Sequence, residues 1–180
     1  MTLIPRHLVL VAVLLSSYGA AGASTPDDAQ RAFFRASDLL QQQKAGATRE
    51  AIAQFETALS AYRRLQDRRR EAETLHALGI AKSRLTRHRD AIADYEKALA
   101  IRHELHDEEG EAMELDGIGF AHEAVSDLAK ARETFEQALA IYRRLGNRRG
   151  EARQLTGLGA VLPRLGKSKE AFDALNAALL

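Results

Sequence analysis

A forty-residue period runs through most of this chain, and no other feature constrains its fold as strongly. Ala51-Ile-Ala-Gln-Phe-Glu-Thr-Ala-Leu59 recurs as Ala91-Ile-Ala-Asp-Tyr-Glu-Lys-Ala-Leu99 and as Ala131-Arg-Glu-Thr-Phe-Glu-Gln-Ala-Leu139. A fourth copy, Ala171-Phe-Asp-Ala-Leu-Asn-Ala-Ala-Leu179, keeps the spacing. Between them a second segment returns: Glu71-Ala72…Leu75…Leu78-Gly79, then Glu111-Ala112…Leu115…Ile118-Gly119, then Glu151-Ala152…Leu155…Leu158-Gly159. Self-similarity at a period of this length marks a repeat architecture, in which each unit buries its apolar face only by stacking on its neighbours.

Both segments carry a helical stripe. Leu75, Leu78, Ala81 and Leu85 fall on one face of a 3.6-residue helix, and Ala91, Tyr95, Ala98 and Leu99 make a similar face in the second. Gly79, Gly119 and Gly159 stand inside the first pattern, where glycine costs about 1 kcal/mol relative to alanine. Three such losses at one register need a common cause. Close approach of the paired helix supplies it, with Ala91, Ala98 and their equivalents expected to answer from the facing side. The fold expected is all-α: a right-handed α-solenoid of stacked antiparallel helix pairs, with about three and a half to four units over residues 24–180. The regular units are read as 71–105, 111–145 and 151–180. The first, 29–65, is irregular: its first helix has Phe33, Phe34, Leu39 and Leu40 but no Leu-Gly, and Lys44-Ala-Gly-Ala-Thr-Arg49 reads as an unusually long turn.

On these residues the chain resembles the tetratricopeptide repeat family. That family places Leu-Gly near the middle of its first helix and Ala, an aromatic and Ala at steps of four and three in its second. Leu78-Gly79 with Ala91, Tyr95 and Ala98 fits, as does Ile118-Gly119 with Ala131, Phe135 and Ala138. The last copy has Leu175 for the aromatic, and Lys82, His122 and Leu162 replace the family's usual Tyr after the Gly. The long period and the linkers Gln66-Asp-Arg-Arg-Arg-Glu71 and Gly146-Asn-Arg-Arg-Gly-Glu151 are similar to the subclass found in kinesin light chains. The resemblance implies a scaffold that binds a protein or peptide. It also extends to bacterial exported proteins in which such repeats precede a CHAT protease, which would make this region the regulatory or targeting module of an effector domain absent from this chain.

The N-terminus points to export. Arg6 precedes the apolar run Leu8–Leu15, and a small, polar stretch follows, closing on Ala21-Gly22-Ala23. This is the layout of a secretory signal peptide over residues 1–23, cleaved after Ala23. The run falls well short of the roughly 20 residues needed to span a bilayer, so no stable membrane insertion is expected after cleavage. The absence of cysteine excludes disulfides, thiolate metal sites and a lipid anchor on that residue.

A net charge of +1 gives no global field toward nucleic acid or acidic membranes. The arginine pairs 63–64, 68–70, 143–144 and 148–149 are interleaved with Glu71, Glu73 and Glu151, and aromatics make up only 6% of the chain. Nucleic-acid binding wants an uncompensated stripe with stacking rings, so no nucleic-acid partner is expected. His103-Glu-Leu-His106 lacks the spacing of a zinc protease motif and a third ligand, and Asp107-Glu-Glu109 reads as a solvated turn. No phosphate loop or nucleophile motif is present. No cofactor, metal or catalytic site is expected.

Binding then falls to the concave surface, which first helices line in a solenoid. The positions expected to face it are His76, Ile80 and Ser83, then Met113, Asp116, Phe120 and Glu123, then Arg153, Thr156 and Ala160. The asparagine that resembling peptide clamps use is replaced by His76, Asp116 and Thr156. Ile80, Met113 and Phe120 beside Asp116 and Glu123 suit an apolar or basic helical segment. Two expectations concern the end. Pro163, lacking an amide hydrogen, should kink or stop its helix near Leu162. Phe172, Leu175, Leu179 and Leu180 should leave an apolar edge through which the chain could self-associate.

Overall fold

The computed structural model describes residues 25–178, and within them the chain turns every twenty residues. Left-handed backbone recurs at Gln66, Thr86, His106, Ser126, Gly146 and Gly166. At Gln66 the amide bonds to Arg63 O at 3.1 Å and the Asp67 amide to Tyr62 O at 3.0 Å, the paired closure of a Schellman C-terminus. Asp67 then caps the next helix, its carboxylate accepting from the Arg70 amide at 3.0 Å. Asp107, Asp127 and Asn147 repeat this double duty, so a three-residue turn both ends one helix and starts another.

Among the described residues there are eight α-helices: α1 Pro26–Gln41, α2 Ala45–Arg64, α3 Arg68–Arg84, α4 His88–Glu104, α5 Glu108–Ala124, α6 Leu128–Arg144, α7 Arg148–Val161 and α8 Ser168–Ala178. A 3-10 turn, Pro163–Leu165, links the last two, and there is no strand among the described residues. Each helix packs on the next in sequence. The first helices α1, α3, α5 and α7 also touch in succession, which lines them along one face. This is the all-α solenoid of helix pairs that the period implied. Thr25 and Asp28 form a capping box ahead of α1, with Pro26 at its first position. Residues 1–23, read as a signal peptide, lie outside the described residues, as do Leu179 and Leu180. Among the described residues no helix is long and apolar enough to cross a membrane.

The small residues do a job different from the one the pattern suggested. A Cβ on Gly79 would lie 2.4 Å from Cε1 of Tyr95, and one on Gly119 would lie 2.5 Å from Cε1 of Phe135. The facing group is the aromatic ring itself, not Ala91 or Ala98. A second glycine meets the same ring from the following unit: a Cβ on Gly117 would be 2.8 Å from Tyr95 Cζ, and one on Gly157 2.9 Å from Phe135 Cε2. Each ring is therefore held between a glycine of its own unit and a glycine of the next, and Phe135 is wholly buried there. That arrangement couples one unit to its successor.

Locally, the structure departs from the sequence reading at two kinds of turn and agrees with it at the end. Lys44–Arg49 is not a long turn: α2 begins at Ala45 and gains an extra turn of helix, with the Thr48 amide bonded to Lys44 O at 2.8 Å. The inter-unit linkers shrink likewise, because Arg68–Glu71 and Arg148–Glu151 are already helix. Pro163 acts as expected: α7 stops at Val161, and Leu162 opens the 3-10 turn. In α8 only Ala171 is buried; Phe172 is 65% exposed and Leu175 43%.

Candidate partner groove

Three hollows that share lining residues lie along the first helices α1, α3, α5 and α7, with second-helix side chains at their floor and walls. The first, 350 Å³, is walled by Phe33, Phe55, His76, Ile80 and Met113. The second, 440 Å³, has His76, Ile80, Tyr95, Met113, Asp116 and Arg153. The third, 340 Å³, has Ile80, Ser83, Tyr95, Phe120 and Arg153. Ile80 borders all three, so they form one groove. It brings together His76, Ile80, Ser83, Met113, Asp116, Phe120 and Arg153 from the positions proposed on sequence. Glu123 and Thr156 border none of these three hollows; Thr156 is exposed on α7, and its hydroxyl donates to Ala152 O at 2.9 Å.

Two polar chains lie under and across the groove. In the first, His76 Nδ1 sits 2.9 Å from Glu114 Oε2, and Glu114 is fully buried. Its other oxygen is 3.8 Å from Arg102 Nε, and Arg102 donates from Nη1 to Asp107 Oδ2 at 2.7 Å. Arg102 is buried where the neighbouring units place Tyr62 and Tyr142. The backbone N–H of Gly110 holds the Asp107 carboxyl below its ordinary range, with Arg102 assisting. In the second chain, Asp116 Oδ1 accepts from Gln154 Nε2 at 2.6 Å and Oδ2 is ion-paired with Arg153 Nη2 at 2.9 Å. The Arg153 guanidinium lies 4.9 Å from the centre of the Phe120 ring, and Phe120 packs edge-on against Phe135 at 5.0 Å. Burial pushes the Asp116 carboxyl above the usual aspartate range, against the pull of Gln154 and Arg153. It also pushes the Tyr95 and Tyr142 hydroxyls up to about 12.

Several groove residues escaped the sequence reading. Tyr95 and Tyr142 come from second helices, and they reach the groove because Gly117 and Gly150 leave no side chain in front of them. Phe33 belongs to the unit that lacks Leu-Gly. Glu114 stands where Thr74 and Gln154 stand in the other copies, a buried polar position hidden inside an apolar stripe.

The remaining charged candidates settle into the repeat itself. Arg63 with Glu71 and Arg143 with Glu151 are one ion-pair position in two copies, at 2.8 and 2.9 Å, and in the copy between them His103 Nδ1 lies 3.0 Å from Glu111. Arg68 with Glu104 and Arg144 with Glu108 are another, with the signs exchanged. Lys82 pairs with Asp94 in the space of the missing family tyrosine. His106 occupies a left-handed turn position, and among the described residues no group of three or more His, Cys, Asp or Glu could hold a metal.

Stacked helix pairs with a side-chain-lined groove on their first helices define an α-solenoid of the interaction-scaffold class. The tetratricopeptide repeat profile matches residues 27–104 and 111–179, and the chain belongs to that family. No curated protein matches it significantly. Among solved structures it is similar to BtubC (BKLC) from P. vanneervenii, with a TM-score of 0.69 and 22% identity over 74% of this chain and 56% of that one. It thus spans little more than half the length of BtubC. It is also similar to the nearly identical TPR-like repeats of a Podosopora anserina protein assigned to the kinesin light chains, with a TM-score of 0.72 and 17% identity over 94% of this chain and 82% of that one. A point-substituted form of the latter gives 0.73, 16%, 94% and 81%. These likenesses establish the fold.

Proposed function

We propose that this chain is an exported scaffold that binds a protein or peptide segment along the groove of α1, α3, α5 and α7. One observation carries the reading. Positions that build the solenoid recur from copy to copy, whereas positions that face the groove do not. Leu75, Leu115 and Leu155 repeat, and so do Gly79, Gly119 and Gly159. The groove instead offers Glu73, Met113 and Arg153 at one position, His76, Asp116 and Thr156 at the next, and Ile80, Phe120 and Ala160 at a third. A surface that only needed to stay soluble would not require such differences, while one that reads a partner along its length would. Export rests on the charged, apolar and small-residue order of residues 1–23.

A photoreactive residue at position 120 should cross-link to a partner in extracts of the source cells, and the same residue at Glu136 on α6 should not. Met113→Glu should reduce that yield. Equal labelling from both positions would remove the groove from the reading. Intact-mass measurement after expression in a bacterial host should find a chain beginning at Ser24 outside the cytoplasm; an unprocessed chain confined to the cytoplasm would contradict export.

A further inference from the structure

Resting on that reading, we propose that Asp116 and Phe120 form a receptor for an arginine side chain carried by the partner segment, and that Arg153 is the internal occupant it displaces. The structure already shows the receptor filled. Arg153 reaches from α7 to place Nη2 2.9 Å from Asp116 Oδ2, with its guanidinium 4.9 Å from the Phe120 centroid. A planar guanidinium can hydrogen-bond a carboxylate while lying against a ring; an ammonium lacks that flat donor fork.

The two sides of this contact are built differently. Asp116 is buried and held in place by Gln154, itself fully buried, and Phe120 is fixed by Phe135. The Arg153 side chain, by contrast, is 60% exposed. Exposed ion pairs are weak because water and salt screen them and the long side chain loses freedom on pairing. Arg153 also borders both the second and third hollows, so swinging it aside widens the groove beside Ile80 and Tyr95. An incoming arginine would thus meet a pre-formed acid and ring, with aliphatic and aromatic walls on either side for its neighbours.

The Asp116–Gln154 bond repeats the place of His76 and Glu114 one unit earlier, but nothing in the repeat requires the ring and the guanidinium beside it. The equivalents of Asp116 are His76 and Thr156, those of Phe120 are Ile80 and Ala160, and those of Arg153 are Glu73 and Met113. Keeping a carboxylate buried opposes folding unless it is well paired, and here the cation paired with it is an exposed surface arginine. That arrangement suits a site waiting for a better cation. The occupant expected is a segment of another protein with an arginine flanked by aliphatic residues.

The test uses the full chain and its Arg153→Ala variant, each panned against a random dodecapeptide display library. Enriched peptides should carry arginine between aliphatic residues and bind the variant more tightly than the parent. Replacing that arginine by citrulline, or Asp116→Asn in the protein, should weaken a resynthesised peptide on the order of tenfold or more. Peptides that are lost with Met113→Glu yet lack arginine, or tolerate citrulline, would overturn the arginine receptor and leave the groove standing. Peptides indifferent to both Met113→Glu and Asp116→Asn would overturn the groove as well. Weaker binding by Arg153→Ala would make Arg153 itself the recognising group and end the proposal, as would the absence of any enriched peptide.

Discussion

Two faces of the same helices behave in opposite ways. At the seam between first and second helices, Tyr95 and Phe135 meet the same pair of glycines forty residues apart. Across the groove, Ile80, Phe120 and Ala160 share a position and almost nothing else. Because the copies sit in one chain under one set of conditions, each acts as a control for the others. What recurs holds the stack together, and what differs is free to serve a partner. The arginine pairs illustrate the same division: their charges can be exchanged between Arg68–Glu104 and Arg144–Glu108 because only complementarity matters there.

The seam should be where substitution costs most. Phe135→Ala removes a fully buried ring wedged between Gly119 and Gly157, and the expected loss is about 3–5 kcal/mol in denaturant unfolding. An intermediate in which the units after α6 melt first would fit the coupling role of the ring. A cost near that of an exposed site would break the comparison. Gly119→Leu approaches the same contact from the other side. Its Cβ would fall 2.5 Å from the ring, forcing helix or ring to move, and the expected loss is about 2 kcal/mol. Unfolding midpoints equal to the parent's would show that the glycine register has another origin.

The seam also ends unevenly. Leu175 takes the place of the aromatic and meets Gly159, but no following glycine covers its other side within the described residues. It is 43% exposed, so Leu175→Ala should cost only about 1 kcal/mol. Hydrogen exchange should find α8 opening well below the global unfolding energy, since among the described residues it packs against α7 and exposes Phe172 and Leu175. Protection in α8 equal to that in α4 would point instead to cover from a second copy or another chain.

How far these features could be read from sequence follows from their spacing. The helices, the core stripes and the register of Gly79, Gly119 and Gly159 were legible because they repeat. Pro163 was legible because a missing amide acts locally. Helix starts were misjudged at Arg68 and Arg148, where charged runs resemble linkers but an Asp or Asn cap one residue earlier begins the helix. The second glycine of each ring clamp, Gly117 or Gly157, stayed hidden because its partner lies in the preceding unit. The Asp116–Arg153–Phe120 cluster was illegible as a cluster for a similar reason. Its members were each placed on the groove face, but α5 and α7 bring them together only after the units stack.

The smallest expected effect lies on the groove, and its sign separates the two faces. Burial raises the Asp116 carboxyl above its ordinary value of 3.8, despite help from Gln154 and Arg153. Between the unfolded and folded values the folded chain therefore binds the extra proton, and stability attributable to this group falls as pH rises through that window. The penalty is absent below the unfolded value and complete above the folded one. Asp116→Asn keeps an acceptor for Gln154 and removes the buried charge, so at neutral pH it should leave stability unchanged or increase it. The difference from the parent should shrink as the pH is lowered toward about 4 and below. Paired denaturant melts across this range measure it directly, and the pairing matters because Asp28, Asp107, Glu151 and Glu170 are shifted the other way and destabilise both proteins in acid. A seam residue cannot behave like this, since its removal costs stability at every pH. If Asp116→Asn proved clearly destabilising at neutral pH, the carboxylate would be part of what holds α5 to α7, and the groove would lose its most distinctive group to the scaffold.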